Sequence, residues 1–485
     1  MSFAIRAGLL CALLAATLGA TGNGLDAARL LERMRAAAGP VWDAHVVSVS
    51  RLASSGESAV VSSDNEGLRL AVRRCTGELC DGEYFDGERL YSVNINGTAL
   101  PASPRSEPYL RALRLVASLG FLSPGFPARG GRIGESGSRT YGGKTYDTIV
   151  VADAASVPLR LYVDPASALV RAARTLDGGD TFEYRDYRRV GAFTLPFEVL
   201  HDGAIYERYD DRAPVASAFH PPHGPLPVFN GAPAQIATDP AAVTPIVDCE
   251  LAGVPVRCLL DTGNSGLSIS SELASRLGVP VVGSYRVRGL GGYATQVVRV
   301  GSLRVGNAAY PEAYYVVLND LRRYGYDVVL GADIFASTAV EIDAAHHLVR
   351  LGSTPDAGAI DLPLSFENFV PVVGVSLAGV PAQLAVDTGD ESNVNLGHDF
   401  YAKHSELFAV TTRRLVSGIG GNSVEAIGEI PQVGIGAYRT GPQRIGTTQT
   451  LAGTASGHLG AAFLDQFVAW FDYAAGRLHL LPRRA

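Results

Sequence analysis

Apolar positions recur along this chain with two periods, and the change between them divides it. Ala27, Leu31, Met34 and Ala38 fall on one face at helical spacing, so Leu25 to Ala38 is expected to form an amphipathic helix, ended by Gly39-Pro40. From His45 to Tyr209 the period shortens to two. Leu159-Arg-Leu-Tyr-Val163 and Thr181-Phe-Glu-Tyr-Arg185 alternate, and Asn96-Gly97, Asp164-Pro165 and Gly178-Gly179 supply turns. One helix followed by many antiparallel strands predicts an α+β domain over residues 25–212, a curved sheet or half-barrel. Residues 213–244 lose all periodicity and carry Pro214, Pro221, Pro222, Pro225, Pro227, Pro233 and Pro240, which reads as a linker with solvated His220 and His223. Short apolar strands resume at Pro245 and fall into two blocks, 245–355 and 360–485.

The first 22 residues do not belong to this pattern. Arg6 and the apolar run Ala7 to Ala20 read as an export signal cleaved after Gly22. The run is shorter than the ~20 residues that span a bilayer, and Leu10 before Cys11 argues against a lipid anchor. No later segment is long and apolar enough to span. The expected location is therefore the periplasm or the exterior. With 55 Gly and 27 Pro among 485 residues the chain favours turn-rich β structure, and a net charge of −7 gives no reason to expect nucleic acid or an anionic membrane as partner.

Beyond the signal the cysteines form two close pairs. Cys75 and Cys80 bracket a short turn, and Cys249 and Cys258 flank a hairpin centred on Gly253-Val254 that would bring their sulfurs opposite each other. Disulfides persist in exported proteins. The spacings are not those of a zinc site and no HExxH motif is present, so no metal or organic cofactor is expected.

The two C-terminal blocks repeat one another. Ala252-Gly-Val-Pro255 precedes Asp261-Thr262-Gly263 by nine residues, and Ala378-Gly-Val-Pro381 precedes Asp387-Thr388-Gly389 by the same nine. Gly289-Leu-Gly-Gly292 and Gly418-Ile-Gly-Gly421 follow, then Gly331-Ala-Asp-Ile-Phe335 and Gly460-Ala-Ala-Phe-Leu464, with one three-residue offset kept throughout. This is an internal duplication. In order and content it resembles the retropepsin and pepsin superfamily of aspartic proteases, over nearly all of residues 245–485. The resemblance implies a mainly β, bilobal β-barrel module with Asp261 and Asp387 as the paired catalytic carboxylates. Two carboxylates held close share a proton, so one can activate water as base while the other protonates the departing nitrogen.

The same resemblance assigns support of the active-site turns to Thr262, Gly263, Ser265, Thr388, Gly389 and Glu391, with Thr262 and Thr388 locking the turns together. Glu391, beside Asp390, departs from the Ser265 of the first copy. Flap hairpins are expected around Gly289, Gly291, Gly292 and Tyr293 and around Gly418, Gly420 and Gly421, though a plain Gly-rich turn would read the same way. The positions matching Cys249 and Cys258 in the second copy are Val375 and Leu384, an apolar pair. The expected partner is an extended peptide or protein substrate, and the duplication removes the need for a dimer.

Tyr162-Val-Asp-Pro-Ala-Ser-Ala-Leu-Val170, Tyr184-Arg-Asp-Tyr-Arg-Arg-Val-Gly191 and Leu195-Pro196 resemble periplasmic lipoprotein-carrier domains of the LolA type, which implies a hydrophobic or lipid ligand for residues 25–212. A β-rich accessory or pro-domain without ligand fits the same residues. Two further readings stand beside the protease: an inactive peptide- or lipid-binding protein on the same scaffold, and a serine hydrolase suggested by Gly263-Asn-Ser-Gly266. The last lacks a supporting His and leaves the second Asp-Thr-Gly unexplained.

Overall fold

A computed structural model describes residues 24–39, 46–52, 58–64, 69–215, 222–319, 321–448 and 455–483. The expected export signal lies outside the described residues. The chain is mainly β, with most strands paired antiparallel.

The amphipathic helix forms over Gly24–Ala38 and buries Ala27, Leu30, Leu31, Met34 and Ala38. Gly39 ends it with φ +121°, and its N–H donates to the Arg35 carbonyl at 2.9 Å. The alternating region forms a sheet of 13 strands whose order follows the chain almost without crossover. It runs from Ala99–Pro101 back to Val46–Leu52, which pairs with Ala204–Val215, and on to Arg132–Tyr141. Phe121, Phe126, Phe182 and Tyr184 are fully buried beside it.

By its packing the chain divides into two units. The first takes the chain through Arg73, then Phe85–Leu90 and Arg105–Phe219; the second takes Arg74–Tyr84, Tyr91–Pro104 and everything from His220 onward. This differs in two respects from the division at 212 and 245 expected from periodicity. Two early segments belong to the second unit, because alternation marks a strand without saying which core receives its side chains. The Pro-rich stretch is also partly folded. Val228–Phe229 pairs with Ala308–Tyr310, and Gln235–Ala237 pairs with Leu348–Leu351. Both are short strands at sheet ends, where proline between paired residues is tolerated.

In the second unit the duplication reappears as hydrogen bonding. Val254–Leu260 runs parallel to Val328–Leu330, which lies antiparallel to Leu267–Ser270. Val380–Val386 likewise runs parallel to Gly457–Leu459, which lies antiparallel to Val394–Gly397. A six-stranded sheet draws on both copies, with Val340–Asp343 antiparallel to Phe467–Asp472. Phe335, Phe471 and Tyr473 pack ring against ring beside it.

Both disulfides form, Cys75–Cys80 and Cys249–Cys258. The second does so across a turn one residue earlier than the sequence spacing suggests. Leu251 faces Val254, Ala252 and Gly253 take φ +50° and +80°, and Cys249 faces Val256 rather than Cys258. Two positive φ values are what a tight hairpin turn between twisted strands requires, so the sulfurs meet on the diagonal. The second copy keeps this register, with φ +48° at Ala378 and +93° at Gly379 and with buried Val375 and Leu384 in place of the cysteines.

Candidate active site

Each copy ends its parallel-paired strand in an Asp-Thr-Gly turn. The Asp261 N–H donates to the Leu330 carbonyl and the Asp387 N–H to the Leu459 carbonyl, both at 2.9 Å. These bonds fix where each aspartate leaves its sheet. Each side chain is then held by its own turn: Gly263 N–H donates to Asp261 Oδ1 at 2.7 Å, and Gly389 N–H to Asp387 Oδ1 at 3.0 Å.

The turns face each other closely. A Cβ on Gly263 would stand 2.6 Å from both carboxylate oxygens of Asp387, and one on Gly389 would stand 2.6 Å from both of Asp261. Only glycine admits this approach. Beneath the carboxylates, Thr262 and Thr388 are buried and bonded reciprocally. Each backbone N–H donates to the other threonine's hydroxyl at 3.0 Å, while the hydroxyls donate to Val386 O at 2.7 Å and Leu260 O at 2.8 Å. The structure thus brings together Asp261, Thr262, Gly263, Asp387, Thr388 and Gly389. The Ser265 carbonyl accepts from Asn94 Nδ2 at 3.1 Å, and Glu391 is exposed.

The electrostatics follow from this closeness. Burial, then the Asp387 charge, pushes Asp261 well above the usual carboxylate range. Asp387 is also raised, by burial first and by Asp390 next, with His458 opposing. The pair therefore holds a proton at pH values where isolated carboxylates have lost theirs. Tyr326 is raised too, by burial and then by Asp261.

In the second turn the expected residue is Glu391, but the engaged one is its neighbour Asp390. Asp390 forms an ion pair with His458 and accepts from Ser392 N–H at 2.9 Å, while its own N–H donates to Asp387 Oδ1 at 3.2 Å. Burial opposes ionisation of Asp390, yet His458 and Ser392 outweigh it and hold the carboxyl down at about 2. Burial would likewise discharge His458, but Asp390, then Asp387 and Glu425, keep its pKa above the ordinary value. The matching residues of the first copy are Asn264 and Val329. Setting the two copies residue against residue would have exposed this substitution.

Two hairpins carry the glycine-rich turns. Val281–Arg288 pairs with Gly292–Val300, and Thr412–Gly418 pairs with Gly421–Ile430. Their tips meet: Gly291 N–H donates to the Ile419 carbonyl at 3.4 Å, Leu290 lies against Gly418, and Ile419 lies against Gly289. Val287 and Tyr293 of the first hairpin pack with Leu321, Tyr326 and Ile419.

Among the described residues, the His, Cys and carboxylate side chains spaced to share a metal ion are Asp180, His201 and Asp202 of the first unit, with ligand atoms within 4.8 Å of one another.

Residues 247–334 match the model of the aspartyl protease family. That stretch belongs to the aspartyl protease family. The matched aspartyl protease segment holds the first Asp-Thr-Gly turn, the first hairpin and most of the short helix Ala332–Phe335. The second copy lies beyond it and is related to the first by the repeated strand pairings. A search of curated proteins gives no match. Among the described residues no helix is long and apolar enough to cross a membrane.

Proposed function

We propose that this protein is an exported aspartic endopeptidase whose single chain supplies both catalytic carboxylates, Asp261 and Asp387. The observation that carries the reading is the placement of each carboxylate against the other turn's glycine, above the Thr262–Thr388 bonds. With one proton on the pair, the charged carboxylate removes a proton from water. The hydroxide adds to the peptide carbonyl carbon while the protonated carboxyl gives its proton to the carbonyl oxygen. The carboxyl that took the water proton then gives it to nitrogen, while the other, now ionised, takes a proton from a hydroxyl of the tetrahedral intermediate. The C–N bond breaks, and both products leave with the pair again holding one proton. The two hairpins act as flaps over an extended peptide and exclude water from around the reacting groups. Two disulfides among the described residues support an oxidising compartment.

The test is cleavage of an unbiased peptide library between pH 3 and 8 by wild type, Asp261→Asn and Asp387→Asn. Cleavage by wild type, block by pepstatin-like inhibitors and loss of at least ~10³-fold in each variant are expected. A folded wild type that binds peptides without cutting any of them would replace this reading with a binding module on a protease scaffold.

A further inference from the structure

Asp333 is fully buried in the short helix Ala332–Phe335, directly after the strand that anchors Asp261. Among the described residues no lysine or arginine pairs with it. Its carboxylate accepts instead from Asn94 Nδ2 at 2.8 Å, Asn96 Nδ2 at 2.7 Å and the Thr98 hydroxyl. All three donors come from Tyr91–Pro104, about 240 residues earlier in sequence but part of the same unit. The matching position of the second copy is Ala462, which needs no such donors.

The donors are themselves fixed. Asn94 Oδ1 accepts from the N–H groups of Asn96 and Thr98, both at 3.0 Å, which closes the turn on itself. Asn96 exchanges bonds with the Tyr314 backbone, giving Nδ2 to its carbonyl at 3.0 Å and taking its N–H at 2.8 Å. Leu100, just beyond, is buried in the core of the second unit.

The cluster reaches the Asp-Thr-Gly turn by two routes. Asn94 Nδ2 also donates to the Ser265 carbonyl at 3.1 Å, two residues past Gly263. At the N-terminus of the Asp333 helix, Gly331 N–H donates to Gly266 O at 2.8 Å and Ala332 N–H to Asn264 O at 3.0 Å. A buried carboxylate satisfied only by neutral donors leaves a large desolvation cost when one donor is lost, so relaxation of Asp333 would be felt at residues 264–266.

We infer that Asn94, Asn96 and Thr98 are positioning residues for the first active-site turn, acting through Asp333 and Ser265. The segment Tyr91–Pro104 is thus a working part of the catalytic unit and not a leader to be discarded on activation. This rests on the protease reading for its kinetic consequence but not for its structural one.

The experiment uses the full chain with Asn94→Ala, Asp333→Ala, Thr98→Val, Thr98→Ser and the pair Asn94→Ala/Asp333→Ala. Amide hydrogen exchange over 261–266 and 387–392 is measured alongside kcat and KM. In Asn94→Ala and Thr98→Val, exchange over 261–266 should quicken at least ~10-fold with 387–392 unchanged, and kcat should fall ~10-fold or more with KM little altered. Thr98→Ser should restore both, and the double variant should lose less than the product of its singles. A fall in melting temperature with exchange at 261–266 and kcat both unmoved would overturn the assignment and leave the cluster a plain structural contact. If wild type cleaves nothing, the protease reading fails, and the exchange data alone decide this one. If Asn94→Ala does not fold, the Thr98→Val and Thr98→Ser pair carries the comparison.

Discussion

The backbone N–H of Thr262 donates to the Thr388 hydroxyl at 3.0 Å, and Thr388 returns the bond to Thr262 at the same distance. Each hydroxyl also donates to a buried carbonyl of the opposite strand. Thr262→Val or Thr388→Val should each cost about 2–3 kcal/mol, since a single change strips two bonds and leaves buried polar groups unpaired. The double variant should cost less than the sum of the two, because the contact between the two hydroxyls at 3.4 Å is lost with either change alone and is counted in both. Urea unfolding of the four proteins checks this, and strict additivity would refute it.

Gly291→Ala probes the meeting of the hairpins. A Cβ there would lie 2.0 Å from the Gly420 carbonyl oxygen, so the tips must part. For a peptide-cleaving enzyme KM should rise about tenfold as the lid loses closure. The melting temperature should stay within ~2 °C, because the change is at a hairpin tip. An unchanged KM would show that tip closure contributes nothing to substrate binding.

The ion pair Asp390–His458 sets a pH window. Asp390 titrates lower in the folded protein, at about 2, so its contribution is present above the ordinary carboxylate pKa and fades as pH falls toward 2. His458 titrates above its ordinary value, so its contribution is complete below pH ~6 and is lost as pH rises through the folded-state pKa. Stability should therefore peak between these limits. His458→Val should cost about 3 kcal/mol by leaving Asp390 unpaired, and Asp390→Asn/His458→Val, which copies Asn264 and Val329, should recover most of it. Loss of the His458 cation also removes the influence that lowers the Asp387 pKa, so the pH–rate profile of His458→Val should move to higher pH. A shift toward acid would contradict the electrostatic account.

Replacement of the Cys249–Cys258 bond separates covalent from packing stabilisation. Ser at both positions should cost about 3 kcal/mol. Cys249→Val/Cys258→Leu, the pair found at Val375 and Leu384, should cost only about half as much because both sites are buried. Melting curves with and without reductant give the comparison.

The duplicated landmarks, the helical face of Ala27, Leu31 and Met34, and both cysteine pairs could be read from residue order, since each depends on near neighbours or on a repeat. The turn lies at Ala252-Gly253, one residue before the place that spacing gives it, because register depends on turn dihedrals, which spacing does not encode. The short strands Val228–Phe229 and Gln235–Ala237 carry too few residues for a period, and their partners make them strands. Asn94, Asn96 and Thr98 read only as a turn. Their engagement with Asp333 joins residues far apart in the chain, and no local pattern announces it.

The contrast between Asp390–His458 in one turn and Asn264–Val329 in the other has a consequence for how such a site can change. In an assembly of two identical chains every substitution is made on both sides at once, so a change useful to one carboxylate is imposed on its partner. Joining the halves in one polypeptide removes that constraint. One half can carry a fixed cation and anion beside its aspartate while the other stays neutral, and the two aspartates are free to become unlike each other.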